Sequence, residues 1–474
     1  MTVPEEARPV VVTERGAVRG VRETPTPVHG EPLTPGPEGE AVAVAAFRGI
    51  PYAASPVGER RFAPPRPHPG WPGVRDAARS GPSAPQAASR LEAVMGPRAA
   101  DWDEEGCLNL NVWTPAAALA PGARPRAVLV WFHGGGWTSG SGGWDWYDGA
   151  RLAALGDIVV VTANYRLGPL GFLHLPAIGA ANLGNQDQAN VLRWVRDTVA
   201  AFGGDPGRVT VGGQSAGAWS ALSLALAPDT GGLVHRVIAQ SGPWGLRPQA
   251  PTDAAERTAA YLRILGIDPD GSPTALGKAL RALPAGQLVA AYGQLAARTA
   301  RPGEVAPPMY PVLGGPGLPH ALQDAVADGA LGGKELLIGA TEDEMTAFLS
   351  FDGVDRSGVG RLTARLFGDG VTEIAAHRAA RGVPAHVYRF TRRPVPDPHG
   401  LGATHCAELP FLFGTFDAYP EAPMLGPVGD DDRALARAFG GALAAFTATG
   451  SPEAHGLAPW GPWLPGPSPE VMRF

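Results

Sequence analysis

The 474-residue chain holds only two cysteines, Cys107 and Cys406. Two cysteines make neither a disulfide framework nor a metal-binding spacing. Lysine is almost as scarce, with Lys278 and Lys334 the only two, and the basic residues are otherwise arginine. No basic cluster interrupts a net charge of −6, which argues against a nucleic-acid partner. No stretch reaches the length of a membrane span without a charge. The start, Met1 to Arg8, carries Glu5 and Glu6 and no apolar centre, so it does not read as a secretory signal. A cytoplasmic chain with no membrane partner is the expectation, acting as a monomer or weak homo-oligomer. Charged residues are 18% and apolar residues 44% of the chain, which suits a well-buried globular protein and excludes disorder. Glycine and proline, at 65 and 50, are scattered without period and indicate many turns and shaped loops.

What is present is an alternation of strands and helices. Val10–Arg22 reads as two short strands around a glycine turn, and 24–40 as a Pro/Gly/Glu-rich loop. The segment from Phe47 to Ala53, with Arg61–Pro65, reads as an irregular packed loop that shapes a rim. Cys107–Trp113 alternates apolar and polar residues as a strand does. Ala127–Phe132 is a continuous apolar run, expected for a strand buried on both faces of a parallel sheet, and Ile158–Tyr165 reads as another buried strand. Asp187–Phe202 has helical spacing, Val209–Gly212 and Val234–Gly242 read as strands, and 214–227 reads as a helix between them. Residues 252–300 are Ala/Leu-rich and helical, Glu335–Ala340 is a late strand, Val387–Phe390 the last strand candidate, and 433–447 a closing amphipathic helix. Such alternation implies a mostly parallel sheet with helices on both faces and a site at the carboxyl ends of its strands.

One stretch organises the chemistry. Gly213-Gln214-Ser215-Ala216-Gly217 follows a strand and opens a helix, the form of a nucleophile elbow. The glycines permit a tight turn that thrusts the serine hydroxyl outward, with backbone N–H groups and a helix N-terminus at the reaction centre. Upstream, His133-Gly134-Gly135-Gly136-Trp137 ends a core strand, and its glycines expose N–H donors suited to an oxyanion. A serine needs an imidazole to take its proton and a carboxylate to orient that imidazole. His405 lies in the loop after the last strand candidate and fits the base; His377, His386, His399 and His455 fit less well. For the acid, Glu342, Asp343 and Glu344 stand together after the strand at 335–340, and position does not choose among them. Trp137, Trp144, Trp146 and Trp219 lie near these loops, either as pocket lining or as ordinary core.

Taken together the chain resembles the type-B carboxylesterase/lipase family, which includes para-nitrobenzyl-esterase-like bacterial enzymes and the cholinesterases. The resemblance rests on Phe47-Arg48-Gly49-Ile50-Pro51-Tyr52-Ala53, Cys107-Leu108-Asn109-Leu110-Asn111-Val112-Trp113, the His133–Trp137 loop, Asn164-Tyr165-Arg166-Leu167-Gly168 and Phe202-Gly203-Gly204-Asp205-Pro206. It continues through the elbow, Gln240-Ser241-Gly242-Pro243, and Glu408-Leu409-Pro410-Phe411-Leu412-Phe413-Gly414. It implies a single α/β-hydrolase domain over 1–474, with helical cap segments at roughly 250–325 and 345–385, the second one shortened. It implies that Ser215 is the nucleophile, His405 the general base and Glu344 the acid, with Gly135, Gly136 and Ala216 forming the oxyanion hole and Ser241 supporting acid and base. It implies hydrolysis of small-molecule carboxylic esters with no metal or organic cofactor. An amidase, a carbamate hydrolase or an acyltransferase would use the same residues, and a catalytically silent, cholinesterase-like binding protein is the reading from another class. The chain departs from the family pattern at Gln214, where glutamate is usual, and at Met345, where glycine is usual. Ala84 stands where a cysteine often pairs with the one at Cys107, which suits a reducing compartment. Cys406 reads as a small buried apolar residue. A trimmed cap would leave a more open site.

Overall fold

The continuous apolar runs form the middle of a large sheet because each can be buried on both faces. In Arg126–Phe132, alternate side chains feed two separate cores: Val128, Val130 and Phe132 enter one, and Ala127, Leu129 and Trp131 the other. The computed structural model describes residues 8–25, 42–98, 101–301, 304–349, 356–419, 421–454, 456–467 and 469–474. Most of the expected loop at 24–40 therefore lies outside the described residues, as do the first seven residues and His455.

Thirteen strands are described: β1 Val10–Thr13, β2 Gly16–Arg19, β3 Val21–Glu23, β4 Val44–Pro51, β5 Val74–Asp76, β6 Asn109–Pro115, β7 Arg126–Phe132, β8 Val159–Ala163, β9 Gly204–Gln214, β10 Arg236–Gln240, β11 Glu335–Thr341, β12 His386–Phe390 and β13 Met472–Arg473. β1, β2 and β5 make a three-stranded sheet. The other ten make the central sheet in the order β13-β12-β11-β10-β9-β7-β8-β6-β4-β3. From β8 across to β13 every neighbouring pair is parallel, whereas β3, β4 and β6 run antiparallel. The helix Ala216–Leu226 packs on one face, while the closing helix Asp430–Thr449 contributes Phe439, Leu443 and Phe446 to the core on the other.

Two expectations are corrected. The segment read as a packed loop from Phe47 contains the end of β4, which pairs with β6 through a register shift between Phe47 and Ile50. Gly49 sits at φ +68° inside that shift. The bulge breaks the alternation by which a strand is read from sequence. The sheet also does not end at 387–390, since β13 adds beyond β12 by two residues, too few to carry a pattern. The helical stretch 252–300 is three helices, Pro251–Ile264, Pro273–Ala282 and Ala285–Thr299, each beginning at or just after a proline. No described helix is long and apolar enough to cross a membrane.

The parallel register aligns strand ends. Gln214 lies opposite Gln240, and Gln240 opposite Gly339, so β9, β10 and β11 deliver their carboxyl ends side by side. The turn after β9 is possible only without side chains at its flanks. A Cβ on Gly217 would sit 2.0 Å from the Phe132 carbonyl oxygen, and one on Gly213 would sit 2.3 Å from the Gly217 carbonyl carbon. Gly217→Ala is expected to cost about 3 kcal/mol or more, because the obstacle is core backbone with nowhere to move. Gly360→Ala, where an added Cβ meets nothing within 4 Å, is the matched control and should be neutral or slightly stabilising. Denaturant unfolding of the two variants checks this; equal stabilities would contradict it.

Candidate active site

Ser215 holds φ +58° and ψ −124°, a strained conformation for a residue with a side chain. Its N–H donates to the Gln240 carbonyl at 2.8 Å, which ties the elbow to the end of β10. Ser241, after β10, also has positive φ, at +50°, and its N–H donates to Gly339 at 2.8 Å. Successive strand ends are thus laced together by backbone bonds, and the strain at Ser215 is held by tertiary structure.

The glycine loop after β7 wraps over the elbow. Gly135, Gly136 and Trp137 all have positive φ, at +100°, +60° and +58°. A Cβ on Gly135 would fall 2.1 Å from the Ser139 carbonyl oxygen. The N–H groups of Gly135, Gly136 and Ala216 have no acceptor among the described residues. All three residues line the cavity at Ser215. Three N–H groups without acceptors beside one hydroxyl are an arrangement suited to a developing oxyanion. His133, at the loop's start, is not a second base: it stacks on Tyr165 at 4.5 Å, and burial pushes it down to about 4.

Of the three acids after β11, only Glu344 reaches His405. Its carboxylate accepts from His405 Nδ1 and, through Oε1, from the Thr341 N–H at 2.8 Å. Glu342 points outward to Arg393 and Arg473, each at 2.9 Å. Asp343 accepts from the Ala403 N–H at 2.9 Å and so pins the loop that carries His405. Burial disfavours charge on His405, while Cys406 and the Glu344 carboxylate on Nδ1 favour it, and the balance raises the imidazole's affinity for a proton. Burial pushes the neighbouring Cys406 thiol up, so it remains a neutral thiol at pH 7. Phe348 and Phe367 flank the imidazole, each with its ring centre 5.2 Å away.

The residue before the serine meets the imidazole directly. Gln214 Nε2 lies 3.2 Å from His405 Nε2, and its Oε1 accepts from Cys406 Sγ at 3.5 Å. With Nδ1 committed to Glu344, the amide N–H donates to the Nε2 lone pair. No hydrogen bond joins the Ser215 hydroxyl to His405 in this arrangement.

Ser241 takes a different partner from either acid or base. Its hydroxyl donates to Glu408 Oε1 at 2.7 Å. Glu408 is fully buried, and Oε2 has no partner among the described residues. Burial and the adjacent Glu344 charge push its carboxyl up to about 7. The sequence reading missed Glu408 as a part of the site. Its signal was a single carboxylate inside the apolar run Cys406, Ala407, Leu409, Pro410, Phe411. Trp137 lines the cavity at Ser215 and Trp219 packs against Trp137 with ring centres 5.5 Å apart, whereas Trp144 and Trp146 are buried and do not line the cavity. Cys107 and Cys406 are free thiols, and Ala84 is buried. Among the described residues no cluster of His, Cys, Asp and Glu could hold a metal ion.

Glu408 sets a pH-dependent stability. Between roughly pH 4.5 and 7 the unfolded carboxyl is ionised while the folded one keeps its proton, so stability falls as pH rises through that window. Glu408→Gln keeps an acceptor for Ser241 and removes that cost. It should be more stable than the parent by roughly 1 to 3 kcal/mol above pH 7, with the gain vanishing near pH 4.5. Denaturant titrations at the two pH values measure it; a gain independent of pH would contradict it.

A model of the carboxylesterase family matches residues 7–363. The chain is 37% identical over 462 residues to a phenmedipham hydrolase of Pseudarthrobacter oxydans, covering 90% of each chain. It is 34% identical over 483 residues to the para-nitrobenzyl esterase of Bacillus subtilis, covering 94% of this chain and 91% of that one. A solved structure of a PNB esterase superposes with a TM-score of 0.82 at 31% identity, covering 96% of this chain and 94% of the other. The α/β-hydrolase fold, the serine at its elbow and these likenesses agree, and the chain belongs to the carboxylesterase family, as a serine hydrolase of carboxylic esters.

Proposed function

We propose that Ser215 attacks the ester carbonyl while His405 takes its proton, with Glu344 orienting the imidazole. The oxyanion forms against the N–H groups of Gly135, Gly136 and Ala216. His405 then protonates the leaving alcohol, and water repeats the sequence on the acyl-enzyme. The observation that carries this reading is a strained serine and three N–H groups without acceptors on one cavity, with the buried His405–Glu344 pair directly behind Phe348 and Phe367 of its wall. Donors fixed before the substrate arrives need no reorganisation in the transition state, which is where such sites gain most of their rate.

Gln214 tunes this machinery. Its amide steadies the neutral imidazole, and it releases Nε2 when the serine proton moves there. Ser241 and Glu408 act one step further out, supporting the loop after His405. The helical segments at 250–325 and 345–385 serve as the cap of one domain spanning 1–474. The same reading takes the enzyme to work in the cytoplasm as a monomer or weak homo-oligomer, without nucleic-acid or membrane partners; two free, buried thiols and a net charge of −6 support it. A second reading, acyl transfer from an amide or carbamate by the same residues, draws support from 39% identity over 404 residues to a probable N-octanoylanthranilate hydrolase of Rhodococcus erythropolis, whose name specifies an N-acyl substrate.

Ser215→Ala should lower kcat on para-nitrophenyl acetate by roughly 10⁴-fold or more without altering the fold. Turnover surviving within tenfold would overturn the assignment. Gln214→Glu should move the acid limb of kcat/KM upward by roughly one pH unit, because a carboxylate at Nε2 favours the imidazolium that cannot act as base. A limb unchanged in position would show that Gln214 does not face the working imidazole.

A further inference from the structure

One charge at the reaction centre has no counter-charge in the chain. Arg90 is the only charged side chain among the described residues that line the cavity of about 40 Å³ at Ser215. It also lines a second cavity, of about 230 Å³, beside the first. Its Nη2 donates to the Val305 carbonyl at 3.0 Å. The same nitrogen lies 3.8 Å from where a Cβ on Gly136 would stand, so the guanidinium rests against the glycine loop. A guanidinium carries five N–H groups in a planar fork, and the bond to Val305 uses one of them. Among the described residues no carboxylate pairs with Arg90, and Tyr292 is the one titratable group near enough to act on it. Burial keeps that phenol protonated, so it brings no charge. Arg301 and Glu304, the other charged residues on the second cavity, are exposed and paired with each other at 3.8 Å.

We propose that Arg90 recognises a carboxylate on the substrate, and that the enzyme prefers esters whose acyl or alcohol arm carries a free carboxylate over their uncharged counterparts. The inference rests on the ester-hydrolase reading of Ser215 and deepens it. Arg90 is exposed where the cavities open, yet the protein packed around it desolvates the guanidinium and lowers its pKa. A charge held in such a place without a partner is costly, and an anion seated on it offsets that cost. The free edge of the fork can take a carboxylate through two parallel N–H bonds, a geometry that fixes orientation as well as charge. Other polar side chains on the second cavity are already spent on backbone: Gln86 bonds to Gly140, Thr138 to Gly135 and Thr299 to Leu295. Val289, Tyr292 and Ala296 line only the second cavity, whereas Arg90 lines both. An arm leaving Ser215 past the glycine loop therefore meets the guanidinium first. An acid on the acyl side and one on the alcohol side share this chemistry, and substrates separate them.

The test measures kcat/KM of the full-length enzyme on two matched pairs of esters in which a carboxylate is exchanged for a methyl group. Monoethyl adipate and ethyl hexanoate place it on the acyl arm; 3-acetoxybenzoate and 3-methylphenyl acetate place it on the alcohol arm. The parent should favour the carboxylate member of one pair by roughly tenfold or more at low salt, and that pair identifies the arm. The preference should shrink as ionic strength rises. Arg90→Leu should lower the carboxylate-to-methyl ratio by roughly tenfold or more, through KM more than kcat. Arg90→Lys, which keeps the charge and loses the fork, should retain part of the ratio, and Arg90→Glu should reverse it. A parent that prefers the carboxylate member of neither pair would overturn the proposal. So would a ratio left unchanged in folded Arg90→Leu and Arg90→Glu, including an equal loss on both members, which would mean that Arg90 supports the reaction centre itself. Failure of the parent to turn over any ester would instead overturn the ester reading of Ser215.

Discussion

Everything at the site depends on one close approach of backbone to backbone, where the first turn of the helix after Ser215 passes the end of β7. Gly217 lies so near the Phe132 carbonyl that no side chain fits between them. That contact sets the angle at which the chain leaves β9. It forces Ser215 into positive φ and leaves the N–H of Ala216 at the start of a helix with no carbonyl to bond. The glycine loop that follows Phe132 is drawn over the same point, so the outward serine and the N–H groups without acceptors are products of a single packing constraint. The strain of about 1 to 3 kcal/mol stored in such a turn is affordable because β9 is buried between β7 and β10 in the sheet.

The rest of the site is assembled by register. β9, β10 and β11 end level with one another, which brings residues far apart in sequence into contact: Gln214 with His405, and Ser241 with Glu408. Two carboxylates end up buried near one imidazole, and they are kept apart in role by their hydrogen bonds. Glu344 receives the imidazole N–H and a backbone N–H, whereas Glu408 receives the Ser241 hydroxyl and holds its proton to about pH 7. A neutral amide at Gln214 fits this setting, since a carboxylate there would add a second buried negative charge to that of Glu344 around His405.

Local features of this design were legible in the sequence. The elbow and the glycine loop are made of adjacent residues whose chemistry follows from backbone geometry, and β7 announces itself by the unbroken apolar run Ala127–Phe132. Chain order pointed to His405, the histidine that meets Glu344. What could not be read locally was anything fixed by pairing across the sheet. The three acids at 342–344 are equivalent in sequence and separate only when the turn sends Glu342 to solvent, Asp343 to the backbone of the histidine loop and Glu344 inward. β4 was hidden by its bulge and β13 by its brevity. The bond from Ser241 to Glu408 spans 167 positions and has no local signature. The size of the reaction cavity was also not legible: a short second cap segment suggested an open site, yet the space at Ser215 is about 40 Å³, with the larger volume displaced to its side.

The most direct test of the account is to trap the covalent intermediate. Rapid mixing with an activated acetate ester followed by acid quench, intact-mass measurement and peptide mapping reads it out. The account predicts one acetyl group per chain on the peptide bearing Ser215, present during turnover and gone once the ester is consumed. Steady hydrolysis with no acetylated species, or an acetyl group on another residue that decays at the turnover rate, would contradict it.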